Sequence, residues 1–234
     1  GVNNVAINSG TMAITASGWH QIGFMWDGSF VYPIADGVIG TGVAAAGTLD
    51  SGSYNLTIGR TDNIYYLANG KIDEARIYNR ALGADEIKKL YTLGSAKINS
   101  SQNSKITSGL VGLWSFDGND MYGTTAIDRS GQNNNGTLTG ANGLPKLVAG
   151  KIGQALKFDG VDDMVFINSD IIAAGADSAT AWIYPKSYGE GGIGAIVDNF
   201  QFQLLMYSPD NSLYFTSNSG GNEILSNSNS ISLN

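Results

Sequence analysis

Apolar side chains along this chain recur mainly with the two-residue period of a β-strand. Ile22, Phe24 and Trp26 line one face of a segment over 19–26, and an Asp27-Gly28 turn follows. A second strand is predicted over 30–34, closed by Asp36-Gly37, and others over 54–58 and 72–78. Strict alternation in the last places Asp73, Ala75 and Ile77 on one face and Glu74, Arg76 and Tyr78 on the other. The period changes over 84–93. Ile87, Leu90 and Tyr91 fall at i, i+3 and i+4, which predicts a short helix with Gly83 as a tolerated N-cap. Residues 96–108 are polar and read as a linker. Alternation then resumes, with strands predicted near 110–116, 153–158, 163–167, 179–184, 195–198, 201–207, 213–217 and 222–226.

Many short strands joined by turns rich in glycine (32 residues) and asparagine point to an all-β sandwich or barrel. The 234 residues suffice for one large β domain, and 42% hydrophobic content argues against disorder. A formal charge of −7 without a basic stripe disfavours nucleic acid and anionic membrane surfaces. No apolar run approaches the ~20 residues of a membrane span. Acidic side chains suit a hard cation such as Ca²⁺. The absence of cysteine excludes disulfides and thiolate metal sites, and a lone His20 excludes histidine-rich ones.

Two stretches carry a family resemblance. Residues 70–91 run from Gly70-Lys71-Ile72-Asp73-Glu74 through the helix to Tyr91, preceded at a distance by Gly18-Trp19-His20. Residues 110–163 contain Trp114-Ser115-Phe116-Asp117-Gly118, the loop from Asp128 to Gly136, and Phe158-Asp159-Gly160-Val161-Asp162-Asp163. The chain resembles the LamG-like jelly rolls of the concanavalin A-like lectin/glucanase superfamily, of the tandem bacterial surface-protein type. In that family the first stretch closes the domain and the second opens it, so closing precedes opening here. Residues 1–15 also align with 220–234 at an offset of 219, Gly1 with Gly220, Asn3 with Asn222 and Val5 with Ile224. The expectation is a tandem repeat sampled for slightly more than one period. Residues 1–95 are then the C-terminal part of one repeat, 96–108 a linker, and 109–234 the N-terminal part of the next. Together they should close one jelly-roll sandwich of two antiparallel sheets and one short helix, in circularly permuted order. One strand equivalent would be duplicated at an edge.

The resemblance implies a structural calcium held by Asp73, Asp128 and Asn135. The loop 128–136 reads equally as a hairpin rich in Asx-turns. Glu74 and Arg76 could flank a carbohydrate, or form a structural ion pair beside the helix. Asp159, Asp162 and Asp163 could hold a metal, or make an acidic turn that sets strand register. Trp19, Trp26, Trp114 and Trp182 are expected in the core, which leaves Tyr188 and Tyr207 as candidate ligand contacts. No catalytic residues are expected. The paired-carboxylate strand motif of sandwich glycosidases is absent, and so are nucleophile elbows and phosphate loops. The function implied is a non-catalytic, extracellular or cell-surface binding or adhesion module. It would recognise glycans as a monomeric unit of a larger chain, without nucleic acid or membrane insertion. A structural spacer repeat and an accessory domain of a carbohydrate-active enzyme are the alternatives.

Overall fold

A computed structural model describes residues 5–8, 18–44, 55–61, 66–95, 106–171, 177–189, 192–199, 202–207, 212–217 and 222–225. Two sheets face each other. The first runs, in spatial order, Val5–Asn8, Asn222–Leu225, Ser212–Ser217, Phe202–Tyr207, Ile193–Asp198, Leu56–Ile58, Met164–Ile167, Gly136–Thr139, Thr125–Ala126 and Met121–Tyr122. The second runs Lys146–Ala149, Gln154–Asp159, Asn69–Tyr78, Asp177–Ser187, His20–Trp26, Phe30–Ala35 and Val38–Ile39. Val43–Ala44 pairs with Phe30–Ala35, and Leu110–Trp114 continues the edge beside Asn69–Tyr78. The architecture is a jelly-roll sandwich, with the helix Ala84–Ser95 packed outside the second sheet.

Each sheet interleaves strands from both parts of the chain. Asn69–Tyr78 pairs with Gln154–Asp159, Leu110–Trp114 and Asp177–Ser187, all from beyond the helix. Leu56–Ile58 lies between Met164–Ile167 and Ile193–Asp198. At the far edge Val5–Asn8 pairs with Asn222–Leu225 in parallel, Val5 opposite Asn222 and Ile7 opposite Ile224. The sequence offset aligned Val5 with Ile224. The pairing therefore differs by two residues, a shift that preserves which residues share a face.

The main core fills the space between the sheets. Ile22, Phe24, Ile72, Ala75, Ile77 and Trp114 meet Leu56, Ile58, Val165, Phe202 and Phe215. A second cluster forms under the helix, where Ile87, Leu90 and Leu82 cover Tyr78, Met25 and Ile34. The helix also needs Gly94. A Cβ there would stand 2.3 Å from the Trp182 ring. The Glu86 carboxylate accepts from the Gly83 N–H (3.0 Å) and from Arg80, so the glycine cap is completed from inside the first turn. The Asp36-Gly37 turn forms as expected, with both residues at positive φ.

Simple alternation fails at one place in the strand Asn69–Tyr78. Glu74 has φ 52°, and the register against Asp177–Ser187 shifts between Asp73 and Arg76. This is a β-bulge, in which two residues oppose one. It resets the phase. Ile72, Ala75 and Ile77 now share the core face, and Asp73 does not join Ala75 and Ile77 as predicted. Strands within 121–126, at Gly136–Thr139 and at Lys146–Ala149 were not predicted either. They are two to four residues long, too short to show a period.

Candidate functional site

Past the bulge, the outer face of the second sheet carries the three residues that alternation had grouped. Glu74, Arg76 and Tyr78 line a groove of about 580 Å³, walled by Leu90 and Leu93 of the helix, by Leu110 and Leu113, and by Asp117, Asp120 and Arg129. Its charges are arranged in pairs. The Glu74 carboxylate accepts from the Arg76 guanidinium. Asp120 accepts from Arg129, and from the Ser115 hydroxyl at 2.5 Å. Burial raises the Glu74 carboxyl above its ordinary range, and the Arg76 charge opposes that rise. The Tyr78 side chain is fully buried, its hydroxyl has no hydrogen-bond partner, and burial pushes it up to about 12. The groove thus offers two guanidinium groups and three carboxylates over an apolar flank.

The residues implied for calcium sit in two separate knots. Asp128 folds back on its own loop. Its Oδ1 accepts from the N–H groups of Leu113 (2.9 Å) and Ser130 (2.8 Å). Its Oδ2 accepts from the Ser130 hydroxyl (2.7 Å) and the Asn134 N–H (2.9 Å). A carboxylate has about four lone-pair positions, and all are taken. Asn135 Oδ1 accepts from the Asp128 N–H at 2.9 Å. The loop is the Asx-type hairpin of the bland reading, and it binds Trp114 through the Asn134 carbonyl (3.0 Å).

Asp73 faces another turn. Its Oδ2 accepts from the N–H groups of Lys151 (2.8 Å) and Ile152 (2.9 Å), while Oδ1 is buried without a partner. Burial pushes this carboxyl up to about 8, against the pull of the two N–H groups. Asp73, Asp128 and Asn135 do not fit a shared calcium. The bulge at Glu74 is part of the reason, since it changes where Asp73 points.

This gives a test. Asp128→Ala removes four hydrogen bonds at a buried position and should cost about 3 kcal/mol. The loss measured by thermal melting should be the same with and without a chelator. A loss that vanishes in chelator would restore the calcium.

The aromatic expectations divide. Trp26, Trp114 and Trp182 are buried as predicted. Trp19 is half-buried and meets Tyr184 edge to face at 5.7 Å, with the Lys71 ammonium 5.0 Å from the Tyr184 ring. Tyr188 was expected to be an exposed loop contact. It is 7% exposed and packs in the main core, so its ring is committed to folding. Tyr207 ends the strand Phe202–Tyr207, and its side chain lies outside the described residues. The lone histidine is structural, with His20 Nδ1 2.8 Å from Asp36 Oδ2. Sequence reasoning named Glu74 and Arg76 but missed Asp117, Asp120, Arg129 and the half-exposed Trp19–Tyr184 pair. No spacing links these residues. The pairing of Leu110–Trp114 with Asn69–Tyr78 brings Asp117, Asp120 and Arg129 near, and that of His20–Trp26 with Asp177–Ser187 brings Trp19 to Tyr184.

Residues 1–88 match a laminin G family model described as the concanavalin A-like lectin/glucanases superfamily. No curated protein and no solved structure matches the chain. Among the described residues no helix is long and apolar enough to cross a membrane.

Proposed function

We propose that this chain is a non-catalytic binding or adhesion module that holds a glycan at the cell surface, in the groove beside Glu74 and Arg76. The groove itself carries the reading. Its size suits a small oligosaccharide, and its paired donors and acceptors suit a hydroxyl-rich ligand. A lectin-like superfamily agrees with it. The net charge of −7 and the three carboxylates in the groove favour a neutral glycan over an acidic one.

The same pairs argue against hydrolysis. A glycosidase needs one carboxylate free to attack or activate water and another free to donate a proton. Here Glu74 is clamped by Arg76, and Asp120 by Arg129 and Ser115, which leaves Asp117, held by the Gln154 N–H (2.7 Å), as one carboxylate where two are needed.

A glycan array followed by titration tests the reading. Saturable binding of a neutral glycan is expected. Arg129→Ala, a change at a half-exposed side chain, should weaken it about tenfold. Binding that falls with Trp19→Ala and not with Arg129→Ala would move the site to the Trp19–Tyr184 pair. No saturable binding would leave the spacer repeat, and sugar release would make the chain an enzyme.

A further inference from the structure

We propose that the turn 159–163 binds one hard divalent cation, calcium by its tolerance of irregular oxygen shells. Asp159, Asp162 and Asp163 each bring a carboxylate oxygen within 4.8 Å of the others. Hydrogen bonds satisfy only half of these carboxylates. Asp163 Oδ2 accepts from the Asp159 N–H (2.9 Å), and Asp162 Oδ2 from the Asn142 N–H (2.9 Å) and side-chain amide (2.7 Å). Asp159 Oδ1 accepts from the Val161 N–H at 2.8 Å.

The other oxygens of the two buried residues are left over. Asp162 and Asp163 are 9% and 5% exposed, and Oδ1 of each is buried with no partner. A buried, unpaired carboxylate oxygen is costly, and a second beside it more so. The basic groups nearby relieve it only in part, the Lys146 charge acting on Asp163 from a distance. Lys146 and Lys157 are exposed and opposite each other across a hairpin, and neither forms an ion pair with the three carboxylates. Arg60 donates to the Asp162 main-chain carbonyl (3.3 Å) rather than to a carboxylate.

There is space for a cation. Asp159 and Asp163 line a cavity of about 110 Å³ together with Asn142, Gly143, Leu144 and the stems of Lys146 and Lys157, whose ammonium groups a bound cation would displace toward solvent. Gly140 is closely packed beside the cavity: a Cβ there would stand 2.1 Å from the Gly143 carbonyl oxygen and 3.0 Å from Asp163 Oδ1. The donor set is all oxygen, three carboxylates and a main-chain carbonyl, which selects a hard cation. Calcium accepts such an irregular set, whereas magnesium demands a near-ideal octahedron. When bound, the cation would tie the loop 140–144 to the turn that carries the chain from Gln154–Asp159 in one sheet to Met164–Ile167 in the other.

Calorimetric titration of the whole chain with calcium chloride and with magnesium chloride tests this. One saturable calcium site is expected, with magnesium at least tenfold weaker. Asp163→Asn and Asp159→Asn should each weaken calcium at least tenfold. Asp159 is exposed, so its variant should fold even if the Asp163 variant does not. Asn135→Ala should leave the titration unchanged. No saturable calcium heat overturns the proposal. So does binding that survives Asp159→Asn, or binding lost in Asn135→Ala.

Discussion

Residues 1–95 and 106–234, produced separately, should each fail to show a cooperative thermal transition. The reason is the pairing. Among the described residues, the strand Asn69–Tyr78 pairs with no strand of its own part of the chain, and neither does Leu56–Ile58. His20–Trp26 keeps only Phe30–Ala35 and loses Asp177–Ser187. Each part alone would expose open strand edges and a bare apolar face. A stability of the usual order, about 5–15 kcal/mol, should disappear entirely. Co-production of the two parts should restore the transition, because the pairing does not require the connecting peptide. A cooperative melt from either isolated part would show that it holds a core of its own, and that the interleaved sheets do not govern folding.

The second large effect is a fall in stability from pH 5 to pH 9. Asp177 is fully buried, neither of its carboxylate oxygens has a hydrogen-bond partner, and burial pushes it up to about 7. Asp73 is pushed up to about 8 by burial. In the unfolded chain both titrate near the ordinary aspartate value of about 3.9. Between these limits the native state holds protons that the unfolded state has released. Stability therefore falls with rising pH. The contribution is complete below about pH 4 and is lost as the pH rises through 7 and 8. One pKa unit corresponds to about 1.4 kcal/mol, so the two groups together represent several kcal/mol. Glu86 acts oppositely. Its hydrogen bonds from Arg80 hold it down to about 2, so that contribution is lost only in strong acid. Denaturant titrations at pH 5, 7 and 9 should show the decline. Asp177→Asn should be near neutral at pH 5 and stabilise by about 2–3 kcal/mol at pH 9, because it removes a buried charge. A variant no more stable than the parent at pH 9 would show that Asp177 is not what the alkaline loss reports.

The candidate site was partly legible before the fold. Glu74 and Arg76 stood out as a charged pair beside a helix, and the ion pair formed as one of the two readings had it. The loop at Asp128 was recognised, but two ligand chemistries fit its polar residues equally. Hydrogen-bond geometry separated them by filling every lone pair of Asp128. Tyr188 looked exposed because its neighbours are glycines. Its own ring is apolar enough to be drawn into the core.

What the sequence determined by itself was the class of element at each strongly patterned stretch. The strands His20–Trp26 and Phe30–Ala35 and the helix Ala84–Ser95 follow from side-chain periods that act over a few residues. The permuted order of closing and opening motifs was visible too, because motif order is a property of the chain. Tertiary structure alone decided which strands became neighbours at Leu56–Ile58, and which face Asp73 took. The bulge at Glu74 arises where two paired strands differ by one residue, and no local period contains that information. The groove and the unpaired oxygens of Asp162 and Asp163 have the same origin. Burial and leftover hydrogen-bonding capacity depend on segments brought together from far along the chain.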